Sequence, residues 1–406
     1  MSRFGSQFAV VGNSSDDPFA IDVAFTLGQQ EDVADVISLK QFGNKEFCPR
    51  FISDEGDFAE IGNKLAGRQI IIVSTSNQNL SRQCLAMRNF MIARAAKENG
   101  AAEVTLVEPD LYYSAQDRGP RQGLGEPGVL RDEKDLKKFD GQPFTSKLYA
   151  EMLKISGVDR VVTVHNHSHS VQAMFSDVFG GKFHNLIPYD IYIDYLRNSN
   201  IVNYGPLGEG LVLCAPDEGA RPFVEEIYRR INLPSAKFLT LDKERTGEHK
   251  VEIKLHRDCE VPLESISGHE LVLFDDMVRS GSTVVKACQF LRRVDLKRAV
   301  FALTHFHASD DGRMKMANTA IDEILTLNTI PTILNRDTQG RLRKKLVVLK
   351  IEKWLALQLG EILGITTMSH SDGFYQIDMS SKNARWRRKI WSNDELRELK
   401  TESISA

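Results

Sequence analysis

Seven short apolar runs, at residues 70–73, 104–107, 161–164, 211–214, 238–241, 271–274 and 300–303, recur along the chain with helix-like segments between them. Each is too short for a stable helix and is largely apolar, with a single threonine in three of them (Thr105, Thr163 and Thr240), which suits a strand covered on both faces. Repeated strand–helix–strand units need right-handed crossovers and yield parallel sheets with helices on both sides. The expected class is therefore α/β, each sheet largely parallel and flanked by helices. One helix is read directly from its spacing: Leu80, Cys84, Met87, Met91 and Ala95 form an apolar stripe that stops at Gly100. With 406 residues, 42% of them hydrophobic, the chain exceeds one ordinary core, and two compact domains are expected.

Charge and cysteine usage remove several function classes. The net charge is −3 with both signs interspersed, so nucleic acid is not an expected partner. No apolar stretch approaches bilayer length and the first residues carry no signal-peptide pattern, which points to a cytoplasmic protein without a membrane partner. The five cysteines, Cys48, Cys84, Cys214, Cys259 and Cys288, are scattered, with no C-x-x-C pair, which argues against a disulfide scaffold or zinc site. Residues 119–141, with Pro120, Gly123, Gly125, Pro127 and Gly128, read as an exposed loop. Residues 366–406 read as a polar, partly basic extension holding Trp386 and Trp391, which are too far out of helical phase to share a face cleanly.

The run at 271–274 is followed by Asp275 and Asp276, then by Arg279, Ser280, Gly281, Ser282 and Thr283, and then by Val284, Val285, Cys288 and Leu291 at helical spacing. A helix start offers free N–H groups and a positive dipole end to a phosphate. Acids at the carboxyl end of a parallel strand lie where open α/β sheets hold ligands. Two carboxylates beside a phosphate nest suit the vicinal hydroxyls of a phosphorylated ribose. An ordinary strand–turn–helix with solvated acids fits the same residues equally well.

The segment resembles the ribose-5-phosphate loop shared by phosphoribosyltransferases and ribose-phosphate pyrophosphokinases, and upstream motifs favour the second family. Phe42-Gly43-Asn44-Lys45-Glu46, by itself a surface loop, is similar to the segment that reaches a neighbouring subunit's ATP. The resemblance makes Phe42 the adenine-stacking residue and Asn44 and Glu46 its hydrogen-bonding partners. Gln116 and Asp117 match a nucleotide-contacting stretch whose arginine is Ala115 here, with Arg118 or Arg121 as substitutes. His167 matches the magnesium-associated histidine, while His165 replaces an aspartate and His169 has no counterpart. Three histidines at alternate positions of an extended segment would share one side, so a transition-metal site is a second reading there. A purely structural cluster is a third.

Asp217, in a Pro-Asp-x-Gly sequence that alone signals only a turn, corresponds to a second magnesium ligand. Lys243 and Arg245, alone a solvated strand end, correspond to the Lys-x-Arg that opens a mobile catalytic loop, here within residues 246–269. The resemblance spans residues 8–365 and implies two phosphoribosyltransferase-type domains. Residues 1–188, rejoined by 331–365, form the ATP side; residues 189–330 form the ribose 5-phosphate side. It further implies Mg²⁺ and a homo-oligomer, dimer to hexamer. The implied reaction transfers the β,γ-diphosphoryl group of ATP to the anomeric hydroxyl of ribose 5-phosphate and releases AMP. Arg279 stands where the family has an acid, and leaves open a larger acceptor such as ADP-ribose. Ala115 and His165 leave open a regulatory, non-catalytic partner of an active synthetase.

Overall fold

All seven apolar runs are strands in the computed structural model, which describes residues 7–52, 60–245, 251–368 and 373–378. Contacts divide the chain into two units. The first comprises described residues within 1–187 together with 329–332 and 351–375; the second comprises 188–328, 333–350 and 376–378.

In the first unit β1 (Phe8–Gly12), a hairpin of β2 (Ile37–Gln41) and β3 (Phe47–Phe51), β4 (Gln69–Val73), β5 (Glu103–Glu108), β6 (Arg160–Val164) and β7 (Phe183–Leu186) alternate with helices. These helices are α1 (Pro18–Thr26), α2 (Val33–Val36), α3 (Arg82–Glu98), α4 (Glu133–Lys138), α5 (Thr145–Ser156) and α6 (His169–Val178). The sheet is parallel throughout, in the order β1-β4-β5-β6-β7. Ile70, Ile71, Ile72 and Val73 are all fully buried, as a sheet covered on both faces requires.

The second unit contains α7 (Tyr189–Asn198), β8 (Leu211–Ala215), α8 (Arg221–Ile231), β9 (Lys237–Arg245), β10 (Val251–Leu255), β11 (Glu270–Val278), α9 (Ser282–Leu291) and β12 (Arg298–Phe306). It continues through α10 (Asp310–Met316), β13 (Glu323–Leu327), α11 (Arg336–Gln339) and β14 (Leu346–Lys350), and takes in β15 (Gln376–Ile377). Its sheet runs β10-β9-β8-β11-β12-β13-β14-β15, antiparallel only at the two outermost pairs. The return to the first unit through α12 (Glu352–Leu363) is therefore shorter than the 331–365 expected. Residues 346–350 complete the second sheet by pairing with β13, which keeps 333–350 in the second unit. The extension's Trp386 and Trp391 lie outside the described residues.

The stripe assigned to α3 faces the wrong way. Cys84 is exposed, and Met87 and Met91 are 49% and 37% exposed, whereas Leu85, Arg88, Asn89, Ile92 and Ala96 are buried. Two polar residues on the buried face disguised the periodicity, and both are satisfied. The Asn89 amide donates to Ser74 Oγ (3.0 Å) and Glu108 Oε1 (2.7 Å) and accepts from Asn13 Nδ2 (2.9 Å). Arg88 donates to Asn13 O (3.2 Å) and lies 4.4 Å from the Phe47 ring.

Glu108 is the centre of this network. Its wholly buried carboxyl accepts from the Tyr149 hydroxyl and from Tyr112 N (3.0 Å), beside the Arg82–Asp110 ion pair. Burial pushes its pKa from 4.5 up to about 8, against the lowering effect of the Tyr149 and Tyr112 hydrogen bonds and of Arg82. Between those values the folded chain keeps a proton that the unfolded chain releases. This contribution to stability is complete below pH 4.5 and is lost as pH rises through about 8. Glu108→Gln is expected to remove up to about 1.4 kcal/mol per pH unit of slope in that window. Denaturant titrations across it, compared by slope because the new amide would face Tyr112 N–H, test this; an unchanged slope refutes it.

Candidate active site

In the second unit, four elements carry the candidate residues. The strand β11 runs on past the apolar residues to Val278, so that Asp275 and Asp276 lie within it rather than beyond it; Asp275 pairs with Leu303 of β12. Asp217 follows β8 in a turn in which its Oδ1 accepts from Ala220 N (3.1 Å), and its Oδ2 pairs with Lys243 Nζ. Lys243 reaches it from β9, the neighbouring parallel strand. Burial, the adjacent Asp276 and the charge of Asp217 together push the Asp275 carboxyl well above the usual carboxylate range. Asp217, Asp275, Asp276 and Lys243 therefore form one electrostatic cluster.

Beyond β11, Arg279 and Ser280 are exposed, Gly281 is buried, and α9 begins at Ser282. Gly281 is the N-cap with φ +68, a conformation glycine adopts without strain, and it supplies no side chain to cap the first turn. Ser280 Oγ accepts weakly from Ser282 N (3.4 Å), and the remaining first-turn amides stay open to an anion, with the Ser282 and Thr283 hydroxyls beside them. Arg279 has no acidic partner among the described residues. His305 and His307, which the sequence reading passed over, lie next to this loop: Met277 is paired with His305, and His307 N donates to Val278 O (3.0 Å). Their only signal was their position at the end of the next parallel strand.

Lys243 lies on β9 two residues before Arg245, the last described residue ahead of 246–250. It lies within a hairpin, opposite Ile253 of β10, and Arg245 is opposite Val251. The side chain of Arg245 and residues 246–250 lie outside the described residues.

In the first unit, Phe42 (43% exposed) is at the tip of the β2–β3 hairpin, with Lys40 Nζ 5.0 Å from its ring centroid. Asn44 Oδ1 accepts from Glu46 N (3.2 Å), and Phe42 N donates to Glu46 O (2.8 Å), so the three expected nucleotide residues share one turn. Gln116 is exposed, and Asp117 accepts from Ser168 Oγ (2.7 Å). That bond ties the Gln116–Asp117 stretch to the histidine-rich one.

The three histidines do not form the extended, one-sided row that a transition-metal site needed. His165 is buried with φ +46, His167 is exposed, and His169 begins α6, 77% exposed and 3.4 Å from Glu126. Asn166 forces the change of direction by bonding Asn185, Ser168 and Gln172. Among the described residues no three histidine, cysteine or acidic side chains are gathered to hold a metal. Magnesium asks for less: one or two carboxylates, with water and substrate phosphates completing its shell. The hard oxygens of Asp217 and its crowded acidic neighbours fit that ion, since a cation there would relieve their mutual repulsion.

Arg118, one substitute considered for the cation missing at Ala115, is engaged by Asp117 (3.6 Å) and Asp135 (3.2 Å) and stacks 5.0 Å from Phe139. The 119–141 segment is more ordered than a plain exposed loop. It contains α4, and its buried Arg131 donates to the carbonyls of Gly119 (2.7 Å) and Leu124 (3.0 Å) and pairs with Asp135 (2.6 Å).

Two largely parallel sheets, and in the second unit a strand-end acid pair leading into an uncapped helix start, define the phosphoribosyltransferase class. The phosphoribosyl transferase domain family matches residues 195–332. The phosphoribosylpyrophosphate synthetase of Mycobacterium smegmatis shares the fold, with a TM-score of 0.66 at 21% identity, covering 88% of this chain and 99% of that one. The ribose-phosphate pyrophosphokinase of Corynebacterium efficiens is 25% identical over 340 residues, 83% of this chain and 88% of its own length. Ribose-phosphate pyrophosphokinase 2 of Saccharomyces cerevisiae is 24% identical over 301 residues, 74% of this chain and 80% of its own. Together these likenesses support placing the chain, as a divergent member, in the ribose-phosphate pyrophosphokinase family.

Proposed function

We propose that this chain makes 5-phosphoribosyl 1-diphosphate from ATP and ribose 5-phosphate. The observation that carries the reading is the cluster of Asp217 in the turn after β8, Lys243 on β9, and Asp275 and Asp276 on β11, the strand that leads into the 279–283 loop. The 5-phosphate lodges on the backbone of Gly281 and the hydroxyls of Ser280, Ser282 and Thr283, with Arg279 adding charge. Asp275 and Asp276 accept hydrogen bonds from the 2- and 3-hydroxyls. Phe42, Asn44, Glu46, Gln116 and Asp117 take the nucleotide, Phe42 serving a neighbouring copy, which makes a homo-oligomer the working form.

The anomeric oxygen attacks the β-phosphorus of ATP and loses its proton; the bond from that phosphorus to the α,β-bridging oxygen breaks and AMP departs. Such a transfer needs alignment and charge neutralisation and no covalent enzyme intermediate. Lys243 and Arg245 meet the charge on the moving diphosphoryl group. Asp217 of the second unit and His167 of the first are each proposed as magnesium-associated side chains, and bound magnesium would neutralise phosphate oxygens. Among the described residues no helix is long and apolar enough to cross a membrane, in keeping with a cytoplasmic site of action.

Incubating the purified chain with magnesium, ATP and either ribose 5-phosphate or ADP-ribose, and separating nucleotides by chromatography, tests the reading. AMP with ribose 5-phosphate is expected. AMP with ADP-ribose alone reassigns the acceptor, and AMP with neither refutes catalysis of this transfer.

A further inference from the structure

We propose that Gly312 on α10 is a positioning residue that holds the phosphate loop in its binding geometry through direct backbone contact; the proposal rests on the reading of that loop as a ribose-phosphate cradle. A Cβ at Gly312 would lie 2.6 Å from the carbonyl oxygen of Arg279 and 3.4 Å from the carbonyl carbon of Ser280. Reciprocally, a Cβ at Gly281 would lie 2.7 Å from Met316 Cγ and 3.2 Å from Gly312 O. Loop and helix therefore meet backbone to backbone at two glycines. The atom in closest conflict, Arg279 O, belongs to the main chain and cannot swing aside, so any side chain at Gly312 moves either the loop or the helix.

The helix is itself held. Ser309 Oγ accepts from Gly312 N (3.3 Å), Arg313 donates to Ala308 O (2.7 Å), and His307 N ties the same segment to Val278 O (3.0 Å). Met316 of the same helix is fully buried in the second unit's core, which anchors α10, so the cost of a new methyl group falls on the Arg279–Ser280 backbone. Alanine is a better helix former than glycine, so a loss caused by Gly312→Ala cannot be assigned to a weaker helix. On the outer face of α10, Lys315 pairs with Asp311 (2.6 Å), and both are exposed, which makes Lys315→Ala a control on the same helix.

Misplacement of reacting groups by 1 Å can cost about 100-fold, so Gly312→Ala is expected to raise KM for ribose 5-phosphate at least about 10-fold. KM for ATP should stay within about twofold, as should both constants in Lys315→Ala, because neither change touches nucleotide contacts. Calorimetric titration of ribose 5-phosphate without ATP should show the same loss. A general structural defect would raise both KM values and lower the melting temperature. A folded Gly312→Ala that binds ribose 5-phosphate as the wild type does overturns the proposal. Should Gly312→Ala not fold, hydrogen exchange on the wild type decides: ribose 5-phosphate is expected to slow exchange at 310–316 along with 279–283, and protection of the loop alone overturns it. A wild-type chain that binds no ribose 5-phosphate removes the reading beneath, and this proposal with it.

Discussion

Replacing Lys243 by alanine is expected to lower kcat at least about 100-fold, the scale of losing one preorganised charge donor at a reacting centre. The variant should fold. Lys243 and Asp217 are 32% and 35% exposed, and an ion pair that open to water stabilises by no more than about 1 kcal/mol. Loss of rate without loss of stability is thus the signature to look for. Steady-state kinetics with ribose 5-phosphate and ATP, beside a thermal melt, separate the two quantities. The KM for ribose 5-phosphate should change little, since the lysine acts on the diphosphoryl group. A variant turning over at near wild-type rate would mean that the family's Lys-x-Arg role does not transfer to this hairpin.

Arg298→Ala is expected to destabilise the second unit by about 3–5 kcal/mol, because it strands a buried carboxylate. Arg298 Nη1 donates to Glu270 Oε2 (3.0 Å) and to Ile201 O (3.1 Å), and Glu270 Oε2 also accepts from Asn203 N (2.7 Å). Both side chains are nearly closed off from water, at 11% and 8% exposure, so solvent cannot replace the missing partner. In a unit of this size the loss corresponds to a fall in melting temperature on the order of 10 °C. Pairing the change with Glu270→Gln removes the stranded charge, and the double variant should recover much of the stability. If the double variant is no more stable than Arg298→Ala, the penalty lies in lost packing and not in charge. Glu270 is the first residue of β11, so this pair also anchors the strand that presents Asp275 and Asp276.

Seven of the strands were legible because a strand buried on both faces is a local signal: each run is predominantly apolar over consecutive residues and needs no distant information. The face of α3 was not legible. Arg88 and Asn89 are buried only because Asn13, Ser74 and Glu108, distant in sequence, satisfy them. The histidine row failed for a related reason, since the left-handed turn at His165 and the bonds made by Asn166 were hidden from a reading that assumed an extended segment.

The site divides along the same line. Resemblance to family motifs, read from residue types and their order, nominated Asp217 and Lys243 and supported the reading of Asp275, Asp276 and the 279–283 loop. Nothing in the order of residues foretold that Asp217 pairs with Lys243, that its charge acts on Asp275, or that Gly281 packs on Gly312. Chemistry-bearing residues are recognisable in sequence because side-chain type is a local property. Which of them meet depends on strand order, and the order β9-β8-β11-β12 arises from pairing between segments far apart in the chain, whose closure no local pattern encodes.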